Sequence, residues 1–448
     1  MKIRIIEGLS AASAHLARLR DPKEAALPAS AAARLREIFG RELSAEEAVA
    51  EIVADVRRDG DVALRDYTQR IDGVPADSLS ANRMSADASD LEAAHRALPA
   101  ELRDALHLAA ERIRAFHERE PRQSWLEWDE EGGALGQVVR PLQRVGVYVP
   151  GGTAAYPSSL LMAVIPAQVA GVEEIVVTTP PGPTGTGSAI ILAAAHVAGL
   201  ECVYLLGGAQ AIAALAYGTE SVPRVDKVVG AGGLFVTLAK KLVYGDVGID
   251  GLQGPTETLL IADEMADPTL AAADLLAQAE HDPLATALLI TSSKQLAEAV
   301  QAEAARQLPS LARRSIIEES LVGQGAILVV ANLGEALDLA NEYAPEHLCL
   351  LVADPWSVIG RVRNAGGIFV GEGSSEALGD YVVGPSHIMP TRGTARFSSP
   401  LHVGDFLKVT SIFAVGDAAA RRLAPTAQAI ARAEGLTAHA AAVAVRER

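Results

Sequence analysis

The stretch Arg144-Val145-Gly146-Val147-Tyr148-Val149-Pro150-Gly151-Gly152 decides the fold. A short, valine-rich apolar run stopped by Pro and two Gly reads as a buried strand followed by a tight turn. Upstream, residues 1–125 read as mostly helical, dominated by Ala, Leu, Arg and Glu. There Ala45, Ala48, Val49, Ile52, Val53 and Val56 recur at helical spacing, and Ser44 with Glu47 forms a capping-box start. Downstream, strands are expected at 145–149, 174–179, 202–206 and 226–230, alternating with helices at 157–170, 188–198, 209–217 and 233–243. A second block places strands near 258–262, 286–291, 325–330, 347–352 and 367–370. Such alternation implies βαβ units and parallel sheets. The expectation is an α/β protein with two Rossmann-like parallel-sheet domains, spanning 140–252 and 253–400. A helical N-terminal region, 1–125, is expected to pack on the second α/β domain. Residues 401–448 form a C-terminal extension ending in a helix rich in Ala and Arg.

Composition agrees with that architecture. The 448 residues are 49% hydrophobic but only 4% aromatic, so the core must be aliphatic, as helices packed on parallel sheets require. A net charge of −17 argues against a nucleic-acid or anionic-membrane surface. The two cysteines, Cys202 and Cys349, sit in apolar runs and read as buried free thiols, which suits a reducing, cytoplasmic setting. The start, MKIRIIEGLSAAS, lacks the uninterrupted apolar core of a signal peptide, and no long uncharged apolar run suggests a membrane span.

Glycine-rich turns follow several strands of the first block, at Gly151-Gly152, Gly207-Gly208 and Gly230-Ala231-Gly232-Gly233. Such turns let backbone approach phosphate and aim helix amides at negative charge. No G-x-G-x-x-G follows the first strand of the block, so a nucleotide site must be assembled from these scattered turns. Each turn reads equally as an ordinary cap. Tyr148 reads either as a strand residue or as a ring closing a nucleotide pocket.

Four later stretches carry metal-binding and proton-moving side chains: Gln278-x-x-His281, Pro345-Glu346-His347-Leu348, Gly379-Asp380-Tyr381 and Glu434 to His439. The chain has ten histidines, and three of them fall in these stretches. Gln278 and His281 are three apart on an expected helix, 271–281, and so share a face. Imidazole is a good zinc ligand, whereas an amide oxygen is weaker and harder. Asp380 is expected in a glycine-rich loop, as a functional carboxylate or as a turn cap. His439 reads as a ligand or as a solvated tail residue. Glu346 and His347 pair a carboxylate with an imidazole at the start of a strand, where both can reach one cleft and divide acid–base work. Pro345 stops the helix before them; the alternative is an ordinary helix-to-strand turn.

From about residue 140 to its end the chain resembles the histidinol dehydrogenase family. The resemblance rests on Val145 to Gly152, Gly207 to Glu220, Leu276 to His281, Asn341 to Leu348, Gly379-Asp380-Tyr381, Gly393 to Ser399 and Glu434 to His439, in that order. It implies that residues 140–252 form an incomplete Rossmann-like NAD-binding domain, with Tyr148 and Gln210 contacting NAD. At Gly233 the family carries an Asn that touches NAD, so that side-chain contact is absent here. The resemblance further implies one zinc held by Gln278, His281, Asp380 and His439, and an acid–base pair in Glu346 and His347. Substrate would be held by the ligands and by Thr256, His387 and Glu434. Glu434 and His439 would cross from the other subunit of a homodimer.

The implied activity is oxidation of L-histidinol to L-histidine with two NAD used in turn, the last step of histidine biosynthesis. The segment Gln253-Gly254-Pro255-Thr256-Glu257 departs from the family's Ala-Gly-Pro-Ser-Glu, Ser386 stands where Asn is frequent, and Leu407-Lys408 replaces Lys-Arg. None of these removes a metal ligand or the Glu–His pair. They leave two rival readings: a zinc- and NAD-dependent paralogue acting on another polar alcohol, and a metal-binding homologue without NAD chemistry.

Overall fold

The computed structural model describes residues 2–20, 29–75, 84–151, 155–182 and 184–447; Gly152 and Pro183 of the expected turns lie outside them. The chain begins with β1 (Ile5–Glu7), α1 (Leu9–Leu19), α2 (Ala29–Phe39), α3 (Ala45–Asp59), α4 (Asp61–Asp72), β2 (Ser85–Asp87), α5 (Ala88–Ala97) and α6 (Ala100–His117). The Ser44–Glu47 capping box at the start of α3 is present. Next come β3 (Trp125–Trp128) and β4 (Ala134–Pro141). A βαβ block follows: β5 (Arg144–Tyr148), α7 (Pro157–Ala170), β6 (Glu174–Thr179), α8 (Ala189–Val197), β7 (Cys202–Leu205), α9 (Gly208–Tyr217), β8 (Lys227–Val229), α10 (Leu234–Val243) and β9 (Gly248–Ile249). The second block comprises β10 (Glu257–Ala262), α11 (Pro268–Ala279), β11 (Thr286–Thr291), α12 (Lys294–Gln307), α13 (Arg314–Gly323), β12 (Ala326–Val329), α14 (Leu333–Tyr343), β13 (His347–Leu351), β14 (Gly367–Val370) and a one-turn α15 (Glu376–Leu378). The chain ends in β15 (Leu407–Ala414), α16 (Asp417–Ala433) and α17 (Thr437–Ala444).

Two compact units result, one of residues 1–119 and 143–405, the other of 120–142 and 406–448. The first holds both large sheets. Their orders are β2-β7-β6-β5-β8-β9 and β1-β12-β11-β10-β13-β14. All pairings are parallel except that of β2 with β7. The central strand β10, sequence ETLLIA, is buried along its whole length. Leu260 and Ala262 enter the core on one face, and Leu259 and Ile261 the core on the other. A parallel sheet covered on both faces requires that continuous apolar run. Burying each such leucine contributes about 1.5–3 kcal/mol.

The N-terminal region divides between the two sheets. β1 pairs with β12, and α1 packs on the second sheet through Ala12 and Leu16. In contrast, α3 and α4 bury Val49, Ile52, Val53, Val56 and Leu64 in the core of the first sheet, and β2 extends that sheet's edge. The expected packing of residues 1–125 on the second domain is therefore corrected: most of the region serves the first.

The second unit is a three-stranded antiparallel sheet, β15-β4-β3, with helices α16 and α17. The extension is thus not helix alone. Residues 120–142 supply two of its three strands. Cys349 is buried, whereas Cys202 is only half-buried; both are free thiols. Among the described residues, no helix is long and apolar enough to cross a membrane.

Candidate active site

In the first sheet, β6 and β7 continue to one side of β5 and β8 and β9 to the other. The chain therefore reverses direction between β5 and β8, and the crevice beyond their carboxyl ends is where ligands bind in such sheets. Gly230 turns there with φ +109°, and a Cβ on it would lie 2.2 Å from the Tyr148 carbonyl oxygen. Only glycine permits that approach. The turn is anchored by buried Lys240, which donates to Gly230 O (2.8 Å), to the Asp250 carboxylate and to Gln253 Oε1 (2.9 Å). Gln253, one of the departures from the family pattern, thus completes the bonding of a buried ammonium. Gly233 caps α10 with open space around it: a Cβ would meet nothing within 4 Å.

Tyr148 and Gln210 sit at this edge but are buried. The Tyr148 hydroxyl accepts from Gly208 N (3.2 Å), holding the turn after β7 against that after β5. Burial pushes its phenol up to about 12. Gln210 donates to Asp72 (3.2 Å), and its Oε1 has no hydrogen-bond partner. Burial raises Asp72 to about 6.

The acid–base residues gather at the opposite kind of edge, the amino ends of β10 and β13. Register pairs Thr258 with His347. Ala344, at left-handed φ 51°, ends α14 and turns the chain into Pro345 and Glu346. The Glu346 carboxylate accepts from Thr256 Oγ1 (2.7 Å) and from Glu257 N (3.0 Å). Its proton affinity is raised well above the usual carboxylate range, first by burial and then by Glu257 and Glu376, against those two hydrogen bonds. His347 Nδ1 lies 3.2 Å from the Glu257 carbonyl. A carbonyl only accepts, so Nδ1 carries the proton and Nε2 presents its lone pair. That Nε2 is buried without a hydrogen-bond partner, and burial lowers the imidazole to about 4. The ring is a neutral base.

Around it stand the metal-type donors. Ligand atoms of His281, Glu376 and Asp380 lie within 4.8 Å of one another. Gln278, in the last turn of α11, is fully buried with neither amide atom hydrogen-bonded. An amide stripped of water and left without partners costs about 1–3 kcal/mol, so an unsatisfied Gln278 is a mark of a site that takes a ligand. Burial also lowers His281, favouring the neutral, coordinating form. Asp380 lies in a wide helical turn, Gly379–Val383, rather than the expected open loop. Its carbonyl accepts from His387 Nδ1 (2.8 Å), and Ser159 Oγ lies 2.9 Å from His387 Nε2.

The expected residues Gln278, His281, Glu346, His347, Asp380 and His387 thus fall in one neighbourhood of the first unit. Thr256 joins them, with its hydroxyl engaged on Glu346. Glu434 and His439 belong to the second unit, where both are exposed. Sequence reading missed Glu376. It is buried, accepts from Thr258 Oγ1 and lies 3.7 Å from His347 Nδ1. The four-residue step from Glu376 to Asp380 was the available signal.

Comparison with known proteins identifies the family. The histidinol dehydrogenase family model matches residues 39–447. A histidinol dehydrogenase of Deinococcus radiodurans is 53% identical over 438 residues, covering 97% of this chain and 98% of that protein. One from Moorella thermoacetica is 54% identical, covering 89% and 93%. The crystal structure of histidinol dehydrogenase from Elizabethkingia anophelis superposes with a TM-score of 0.86 at 31% identity, covering 99% of this chain and 98% of that one. Fold and sequence agree: the chain belongs to the histidinol dehydrogenase family of NAD-dependent oxidoreductases.

Proposed function

We propose that this chain oxidises L-histidinol to L-histidine through histidinal, with both oxidations in one zinc-holding site and one NAD consumed in each. The observation that carries the reading is a neutral His347 with a free Nε2, beside buried Glu346 and a donor group that includes the partnerless Gln278 amide.

The residues present suit zinc, which takes imidazole, carboxylate and amide oxygen. Gln278, His281 and Asp380 would hold it, with the partner subunit's His439. Bound there, zinc supplies Lewis acidity and a fixed template for the substrate nitrogens. NAD would lie along the turns at Tyr148, Gln210 and Gly230 to Gly233 and take up the hydride.

His347 Nε2 accepts the hydroxyl proton as the carbinol C–H bond breaks, which gives the aldehyde. Glu346 accepts a proton from water as the water oxygen bonds to the aldehyde carbon, and His347 returns its proton to the aldehyde oxygen, which gives the hydrate and a neutral His347. Burial raises the proton affinity of Glu346, as a base for that step needs. His347 then accepts a hydrate proton as the second C–H bond breaks, which leaves the carboxylic acid. Thr256 orients Glu346, and His387 stands beside Asp380. Burial of both members of the pair keeps the aldehyde from bulk water.

The homodimer with shared sites is supported by two facts. The donor group of the first unit includes no residue of the second among those described. The second unit also exposes Trp125, Leu135, Val409 and Phe413 on one face of its sheet, an apolar face of the kind that marks an interface. In the proposal Glu434 and His439 complete the partner's site. Counting NADH formed per histidinol consumed tests the function: two supports the full reaction, and one ends it at the aldehyde.

A further inference from the structure

One cation outside the expected site residues reaches the acid–base pair through a single neighbour. Arg20 caps the carboxyl end of α1, and its guanidinium lies 3.6 Å from the centroid of the Tyr343 ring. Both Nη atoms donate to the Glu257 carboxylate, Nη2 at 2.9 Å. Nη2 also donates to Tyr343 O at 2.6 Å, so Arg20 grips the end of α14 that delivers Glu346 and His347. Glu257, 5% exposed at its side chain, is the residue whose backbone touches both members of the pair. Its N–H donates to Glu346 and its carbonyl receives His347 Nδ1–H. Arg392 N gives the same carboxylate a further hydrogen bond, at 2.9 Å.

We infer that Arg20 is a positioning residue for catalysis: it fixes Glu257 and neutralises its buried charge, and Glu257 in turn sets the orientation of Glu346 and the tautomer of His347. The inference rests on the reading of Glu346 and His347 as the acid–base pair. A planar, stacked, bidentate guanidinium performs this task in a way an ammonium does not. Without Arg20 a buried carboxylate loses its counter-charge beside a second carboxyl, the situation in which breaking an ion pair costs most. Removing both charges together relieves it.

The test uses the full-length, zinc-loaded protein and compares Arg20→Met, Arg20→Lys and the double variant Arg20→Met/Glu257→Gln, with His347→Ala as a separate arm. Arg20→Met lowers kcat by on the order of ten- to a hundredfold, the scale of a misplaced catalytic group, while KM for NAD stays close to the parent value. Low concentrations of guanidinium, or the added Glu257→Gln change, restore part of the loss. Arg20→Lys falls between. A folded Arg20→Met protein with parental kcat overturns the inference, as does a loss that neither guanidinium nor Glu257→Gln relieves. Should Arg20→Met not fold, Arg20→Lys decides: lowered kcat with unchanged KM for NAD supports the role, and parental kcat refutes it. Full activity in His347→Ala would instead reject the acid–base reading itself.

Discussion

In the proposed function the carboxyl edge of the first sheet and the amino edge of the second do different work, and they are built from different materials. At the first, the working parts are backbone: the Gly230 turn, the amides that begin α9 and α10, and the open space at Gly233. The side chains there, Tyr148 and Lys240, are buried braces for those turns. At the second, the working parts are side chains forced into a dry site: Glu346, His347, Glu376 and Gln278 are all buried. A surface that recognises a phosphate-bearing cofactor can be made from shape and amide dipoles. Moving protons requires titratable groups whose environment sets their charge. The first edge should therefore govern cofactor affinity and stability, and the second turnover.

The largest effect expected is at the second edge. His347→Ala lowers kcat by about 10²–10⁴-fold, with KM for NAD little altered. At the first edge, Gly230→Ala places a methyl against the Tyr148 carbonyl at positive φ. That costs about 1–3 kcal/mol, seen as a lower melting temperature, and weakens NAD binding measured by calorimetry. If His347→Ala instead weakened NAD binding and Gly230→Ala spared it, the contrast between the edges would be wrong.

Gln278 sharpens the contrast within the second edge. In metal-stripped protein its unpaired amide is a liability, so Gln278→Met raises stability by about 1–3 kcal/mol. In zinc-loaded protein the same change loses a ligand and weakens metal retention in a chelator titration. Stability and zinc affinity that move together would assign the amide an ordinary structural role.

Asp72 gives an effect confined to one side of a pH window, at the first edge. Its folded-state carboxyl is raised from the ordinary 3.8 to about 6, chiefly by burial. A raised folded value means that its favourable contribution is present below 3.8 and is lost as pH rises through about 6. Asp72→Asn should therefore stabilise the protein above that window, by no more than about 2–3 kcal/mol from a shift of this size, and leave it unchanged below. Denaturant midpoints on either side of the window check the sign.

Much of this was readable in the sequence. The buried parallel strands β5, β6, β10, β11 and β13 are short runs centred on apolar residues, and their edges fell within a residue or so of expectation. The Gln278-x-x-His281 pair and the Glu346-His347 step were visible because their spacing is short. The strands of the second unit were not. Trp125-Leu126-Glu127-Trp128 is exposed at every position and shows no inward alternation. β1 and β2 are three residues each, too short for any periodicity. Arg20 could not be found because its partner, Glu257, is 237 positions away and is brought near only when α1 docks on the second sheet. Glu376 lies on a helix of one turn, which carries no pattern of its own.

The central claim is that one buried site performs both oxidations, with His347 serving each and Glu346 serving only the hydration between them. Transient kinetics of Glu346→Gln, started from histidinol and separately from histidinal, tests it most directly. The first hydride transfer should survive close to the parental rate while the aldehyde step slows by about 10²–10⁴-fold, so that NADH formed per histidinol falls from two toward one. Equal slowing of both steps would contradict it.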